Sequence, residues 1–117
     1  MNTFNWLNNA FEHSAECHPE ECCGLILSIK DETVYWPCKN IAKHYKDKSF
    51  VIDPLDYAAG EDQGEVVGIV HSHPDSSLNF SRNDRLACKF IDLPFFLVDH
   101  INKKHSALFP HEVNDET

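Results

Sequence analysis

The sequence predicts one α/β domain, a mixed and partly curled sheet flanked by a first helix and by a helix that follows the central strand. Three observations predict it. "EVVGIVHSH" (65–73) is β-branched and apolar almost throughout, the mark of a strand buried on both faces. Helical and strand periodicities alternate along the chain in the order helix, strands, helix, strand, helix, strands. The 117 residues, 42% hydrophobic and 25% charged with four Gly and six Pro, suffice for one core and contain no repeat, low-complexity segment or linker. A single domain over residues 1–117 is expected.

The elements follow in order. Phe4, Leu7, Phe11 and Ala15 recur at helical spacing, so an amphipathic helix should run to about Cys17, and Pro19 closes it. "CCGLILSI" (22–29) and "TVYWPC" (33–38) read as two strands joined by a tight turn at "KDE", a hairpin. "SFVIDP" (49–54) is a further short strand, after which Asp53 caps a helix with Pro54 at its first position and Asp56 in its first turn. That helix should stop between Gly60 and Gly64. After the central strand, "SRNDRLACKFI" (81–91) is a helix with Leu86, Phe90 and Ile91 on its core face and Arg82, Arg85 and Lys89 opposite. "PFFLVDH" and "SALFP" complete the sheet, and the final "HEVNDET" is polar enough to fray.

Composition excludes several function classes. Ten Lys and Arg against nineteen Asp and Glu give a formal charge of -9, which disfavours a phosphate-binding stripe and hence nucleic acid as a partner. No window approaches the roughly 20 apolar residues of a membrane span, and the first thirty residues lack the pattern of a signal peptide. The chain therefore reads as soluble and cytoplasmic. Its five cysteines (Cys17, Cys22, Cys23, Cys38, Cys88) match neither a disulfide framework nor paired zinc knuckles, so reduced thiols are expected, three or more of them buried.

Chemistry concentrates in "HSHPDSSLNFSRND" (71–84). Side chains at i and i+2 of a strand share a face, so His71 and His73 can converge on one point. If Ser81 starts the next helix, Asp84 sits one turn inside it and faces back toward the strand end. Two imidazoles, a carboxylate and a water make a tetrahedral catalytic zinc with an open position, which lowers the pKa of water to about 7 and polarises a carbonyl. The same residues have a plainer meaning: Ser-x-x-Asp is also a capping box, and paired histidines at a strand end can simply be solvated. Spacing alone leaves both open.

These residues resemble the His-x-His-x7-Ser-x-x-Asp motif of the JAMM (MPN+, Mov34-type) zinc metallopeptidases, at His71, His73, Ser81 and Asp84, with Pro74 directly after the second histidine. The Glu-x-x-Gly-Leu element of that family is matched by Glu21, Cys22, Cys23, Gly24 and Leu25. The resemblance implies a three-layer, cytidine-deaminase-like fold and one Zn2+ per chain held by His71, His73 and Asp84. It implies Glu21 as the group that takes the water's proton and delivers it to the leaving amine, and Ser81 as donor to the oxyanion. Within the family, "HPEECCGLIL", "PCKNIA", "FVIDPLDYAAGEDQGEVVGIVHSHP" and "DRLACKFIDLP" resemble, in the same order, the JAMM domain of phage tail assembly proteins of the lambda K type. Many of those continue into an NlpC-type cysteine peptidase domain, absent here, which implies a stand-alone relative or a fragment. Phe80 stands where they usually have Pro, and "SSL" where they are often rich in Gly and Pro.

The implied activity is peptidase or isopeptidase hydrolysis in a host cytoplasm. Candidate substrates are a phage tail component, the C-terminal tail of a ubiquitin-like sulfur carrier, or another flexible peptide laid along a sheet edge. Two rivals stand beside it. A tail-assembly binding module would act by contact alone, without catalysis. A thiol mechanism at Cys23 is disfavoured, because burial raises a thiol's pKa and makes it inert. His13, His18, His44, His100, His105 and His111 lack a metal-spaced partner and read as ordinary residues, and Trp6, Trp36, Phe95 and Phe96 as core.

Overall fold

The structure, a computed structural model, describes residues 6–114. Its five strands are β1 (Cys23–Ile29), β2 (Glu32–Cys38), β3 (Glu65–Ser72), β4 (Phe95–Asp99) and β5 (Lys104–Leu108), with helices α1 (Leu7–Cys17), α2 (Pro54–Gln63) and α3 (Arg82–Ile91). They form one mixed sheet in the order β2-β1-β3-β4-β5. Only the β3–β4 pair is parallel, and α3 makes the crossover between those two strands.

Strand periodicity divides the core into two layers. Ile26, Val70 and Val98 join Trp6, Ala10 and Phe11 beneath α1, whereas Leu25, Leu27, Ile69 and Phe95 face the opposite side with Cys88 of α3. His71 belongs to the second parity, so β3 delivers it to the α3 side. The β1–β2 hairpin turns on Lys30 and Asp31, at φ 50° and 68°, a two-residue connection suited to the strand twist although neither residue is Gly. Gly60 is needed where α2 crosses the sheet: a Cβ there would lie 2.9 Å from Leu25 Cδ1. Among the described residues, no helix is long and apolar enough to cross a membrane.

Several expectations need correction. "SFVIDP" forms no strand; only an isolated bridge, Asn40 with Ile52, marks it, and Phe50 and Ile52 pack as part of a loop against the core while Val51 is exposed. The buried face of α1 is Ala10, Phe11 and Ser14, with Ala15 exposed, while Phe4 lies outside the described residues. On α3 the expected core stripe faces outward: Phe90 is 91% exposed, and Asp84 and Cys88 are the buried positions. Strand β5 ends at Leu108, before Phe109 and Pro110. Finally, part of the tail expected to fray is anchored, since Pro110–Glu112 form a 3-10 turn and Val113 joins the core.

Candidate metal centre

Three elements bring the predicted residues together. Strand β3 ends at Ser72, with His71 on it and His73 immediately beyond. Cys23 pairs with His71, and Ser72 N–H donates to the Cys22 carbonyl at 3.2 Å, so the antiparallel register continued by two residues sets Glu21 opposite His73. Asp84 arrives from the first turn of α3. Between them the loop folds back through local turns, Ser77 N–H donating to Asp75 Oδ1 and Asn79 N–H to Ser77 Oγ. Polar side chains thus supply the bend where Gly and Pro are lacking, and Phe80 packs against the core beside His71.

One carboxylate serves both the helix cap and the histidine cluster. Ser81 Oγ accepts from Asp84 N–H at 3.0 Å and Ser81 N–H donates to Asp84 Oδ2 at 2.9 Å, a complete capping box. The same Oδ2 lies 3.2 Å from His71 Nε2 and 3.4 Å from His73 Nε2. The cap therefore fixes the carboxylate against both imidazoles. Because Ser81 Oγ serves the cap as an acceptor, its own hydrogen is left to donate elsewhere.

His71 is wholly buried, stacked on Phe50 with ring centroids 4.7 Å apart, yet neither of its ring nitrogens completes a hydrogen bond. Nε2 is near Asp84 but not aligned with it. A buried nitrogen without a partner is costly unless something else takes its lone pair. Glu21, His71 and His73 each offer a ligand atom, all within 4.8 Å of one another, so with Asp84 the cluster has the donors of a borderline metal such as zinc. The residues present fit the ion.

The electrostatics agree with that arrangement. Burial lowers the pKa of His71, partly offset by Asp84, which keeps the imidazole neutral and able to ligate. For His73 burial acts downward but the Asp84, Glu21 and Asp75 carboxylates outweigh it, and the pKa rises. Burial would push Asp84 up, but the two histidines and the Ser81 N–H hold it well below the usual carboxylate range. Desolvation dominates at Glu21, only 4% exposed, and lifts its carboxyl to about 7.

One supporting residue escaped the sequence reading. Asn40 Nδ2 donates to the Glu21 carbonyl at 3.1 Å and to the Ser49 carbonyl at 3.0 Å, while its Oδ1 accepts from the N–H groups of Ala42 and Val51. With Glu21 N–H donating to the Lys46 carbonyl at 2.7 Å, Asn40 ties Glu21 to the 42–51 loop. Nothing in "PCKNIA" marked that Asn, since its partners are backbone groups distant in sequence. The rival thiol is not placed for chemistry: Cys23 is buried, its S–H donates to the Cys38 carbonyl at 3.7 Å, and desolvation drives its pKa far up.

A sheet with one parallel pair, helices on both faces and a His-His-carboxylate cluster at the end of its central strand defines a JAB-type domain. Residues 5–108 match the family model of prokaryotic homologs of the JAB domain, and the chain belongs to that family. It is also similar to the tail tip assembly protein K of Escherichia phage N15, 41% identical over 86 residues, which are 74% of this chain and 35% of that protein. The chain thus spans about a third of the length of that relative. A JAB1/MPN domain protein from Archaeoglobus fulgidus superposes with a TM-score of 0.59 at 20% identity, covering 92% of this chain and 86% of that one. A structure described as "JAMM: A Metalloprotease-like Zinc Site in the Proteasome and Signalosome" gives 0.58 at 18% identity, with 92% and 84% covered. A protein from Desulfitobacterium hafniense, solved in solution, gives 0.67 at 21% identity, with 90% and 78% covered. These likenesses show the fold.

Proposed function

We propose that the chain is a zinc-dependent peptidase of the JAMM type acting in phage tail assembly. The observation that carries this reading is His71: wholly buried, unpartnered at both nitrogens, and set against His73 and Asp84. His71, His73 and Asp84 hold the ion. Zinc would supply a Lewis acid for the scissile carbonyl and an activated water.

The chain's own residues do the rest. Glu21, at the edge of the cluster, takes the proton of the attacking water and returns it to the departing amine. Ser81 donates its hydroxyl hydrogen to the oxyanion, an interaction whose loss elsewhere has cost about 3 kcal/mol. Phe50 and Phe95 keep water from the far side of His71. The likeness to a tail tip assembly protein supports tail components as partners and the host cytoplasm as location.

The test is metal analysis of the purified chain together with mass spectrometry of a panel of tail-component and ubiquitin-like peptides. One zinc per chain with new termini in a tail peptide is the expected result. Cleavage confined to ubiquitin-like tails would move the substrate, zinc without any cleavage would favour a non-catalytic assembly module, and lack of zinc binding would end the reading.

A further inference from the structure

Two cavities meet at the candidate centre, and they differ in kind. Glu21, Lys48, His73 and Ser81 line both of them. On one side lies a cavity of ≈ 540 Å³ whose walls carry Asp47 and Asp75 beside His18, Pro19 and Pro74. On the other, a cavity of ≈ 450 Å³ runs back between the 48–52 loop and α3, and its walls are Phe50, Ile52, Tyr57, Ala87, Ile91 and Phe95. Its volume is in the range of pockets that enclose small ligands, about 300–1000 Å³. The segment "SFVIDP", a loop here, makes one wall, and Ala87 and Ile91 of α3 make the other. Ala87 is half-buried and small, which keeps the space between α3 and Tyr57 open.

From this asymmetry we infer that the apolar cavity is a specificity pocket for one large apolar side chain, such as Phe or Leu, of a peptide bound at the centre. The inference rests on the peptidase reading and deepens it by naming the substrate class. A chain passing over His73 and Ser81 lays one neighbour of the scissile bond toward the apolar walls and the other toward Asp47 and Asp75. Burying an apolar side chain there is favourable in proportion to the area removed from water, whereas Gly leaves the pocket unfilled. A tail made of small residues would therefore be a poor substrate for this member of the family.

The experiment uses the full chain loaded with zinc and two probes, N-acetyl-phenylalaninamide and N-acetylglycinamide. Binding is read from the NMR shifts of the Ala87 and Ile91 methyl groups, and cleavage from peptides that differ only by Phe or Gly beside one bond. The phenylalanine probe should move both methyl groups saturably at a concentration at least tenfold below any effect of the glycine probe, and the Phe peptide should be cut at least tenfold faster in kcat/KM. Ala87→Phe, which fills the pocket, should reduce the Phe-to-Gly ratio about tenfold. Should that variant not fold, Ile91→Asp, at a position 43% exposed, should do the same by charging the wall. Equal binding of the two probes, or an unchanged ratio in a folded variant, overturns the pocket while leaving the peptidase intact. Selective binding without cleavage of any peptide overturns the peptidase and keeps the pocket as a peptide-recognition site.

Discussion

At the scale of single residues, Glu21 and Cys23 are two positions apart and share a face, but only one has the surroundings of a reacting group. Glu21 stands at the cavity rim, where burial in the metal-free chain lifts its carboxyl to about 7, and it borders the histidine cluster. Cys23 is closed into the core beside Leu25 and Cys38. Glu21→Gln is therefore expected to abolish peptide hydrolysis while zinc content and melting temperature stay near wild type, because the amide fills the same volume and cannot take a proton. Cys23→Ala is expected to cost about 1 kcal/mol of stability and leave turnover of the folded protein intact. A folded but inactive Cys23→Ala alongside an active Glu21→Gln would reverse the roles. The cluster was legible in the sequence because its spacing is local: His71 lies at the end of β3 with His73 just beyond, and Ser81 caps the helical turn that holds Asp84. Asn40 was not, because it works through backbone groups that only the folded loop assembles.

Elements show where periodicity succeeds and where it misleads. Strand β3 was readable because an apolar β-branched run needs burial on both faces. The α3 stripe was misleading because Leu86, Phe90 and Ile91 are apolar at helical spacing, yet the helix is oriented by Asp84 at the centre and by Cys88, whose thiol donates to the carbonyls of Leu93 and Leu108 at 3.3 and 3.5 Å. A polar anchor overrode the hydrophobic pattern. Helix α1 has a polar anchor too: His13 Nδ1 lies 2.6 Å from Tyr35 Oη, and His13 Nε2 lies 3.5 Å from Cys17 Sγ. Because Tyr35 donates its hydrogen to the Cys23 carbonyl at 3.3 Å, its oxygen accepts from Nδ1–H, and the neutral ring can use Nε2 as acceptor for the thiol. Burial lowers the His13 pKa, with Glu16 opposing. The unfolded chain then takes up the proton first, so this contribution is full above the ordinary value of about 6.5 and is lost as pH falls from there through the lowered folded value. Between pH 7 and pH 5.5 the melting temperature of wild type should therefore drop relative to that of His13→Gln. In zinc-free protein buried His71 acts in the same direction, whereas Glu21 and His73, whose pKa values are raised, act in the opposite one, so the difference between wild type and variant is the quantity that reads His13. Parallel pH profiles of wild type and variant would remove His13 from this role.

For the whole molecule, the question is what the centre contributes to holding three elements in place. Glu21 precedes β1, His71 lies at the end of β3 with His73 just beyond, and Asp84 is in the first turn of α3, so an ion at their junction would tie the sheet to the helix that crosses it. Covalent links play no part in this: all five cysteines are free, with Cys22, Cys23, Cys38 and Cys88 buried, and a reducing agent should leave the melting temperature unchanged. Zinc should raise it. At a free concentration a hundred times the dissociation constant, binding to the native state alone stabilises by about 2.7 kcal/mol, and at about 3–6 °C per kcal/mol for a domain of this size the midpoint should move up by roughly 8–16 °C. Asp84→Asn keeps the shape of the carboxylate and one acceptor for the Ser81 N–H but lacks the charge, so it should fold and show a much smaller shift. Asp84→Ala also loses half of the capping box, and should start about 1 kcal/mol less stable and not respond to zinc at all. The ordering wild type, Asn, Ala in the zinc-induced shift separates a charge that binds metal from a side chain that only caps α3. Equal shifts in all three would mean that the ion binds elsewhere on a chain carrying eight histidines and nineteen carboxylates, and that Asp84 serves the helix alone.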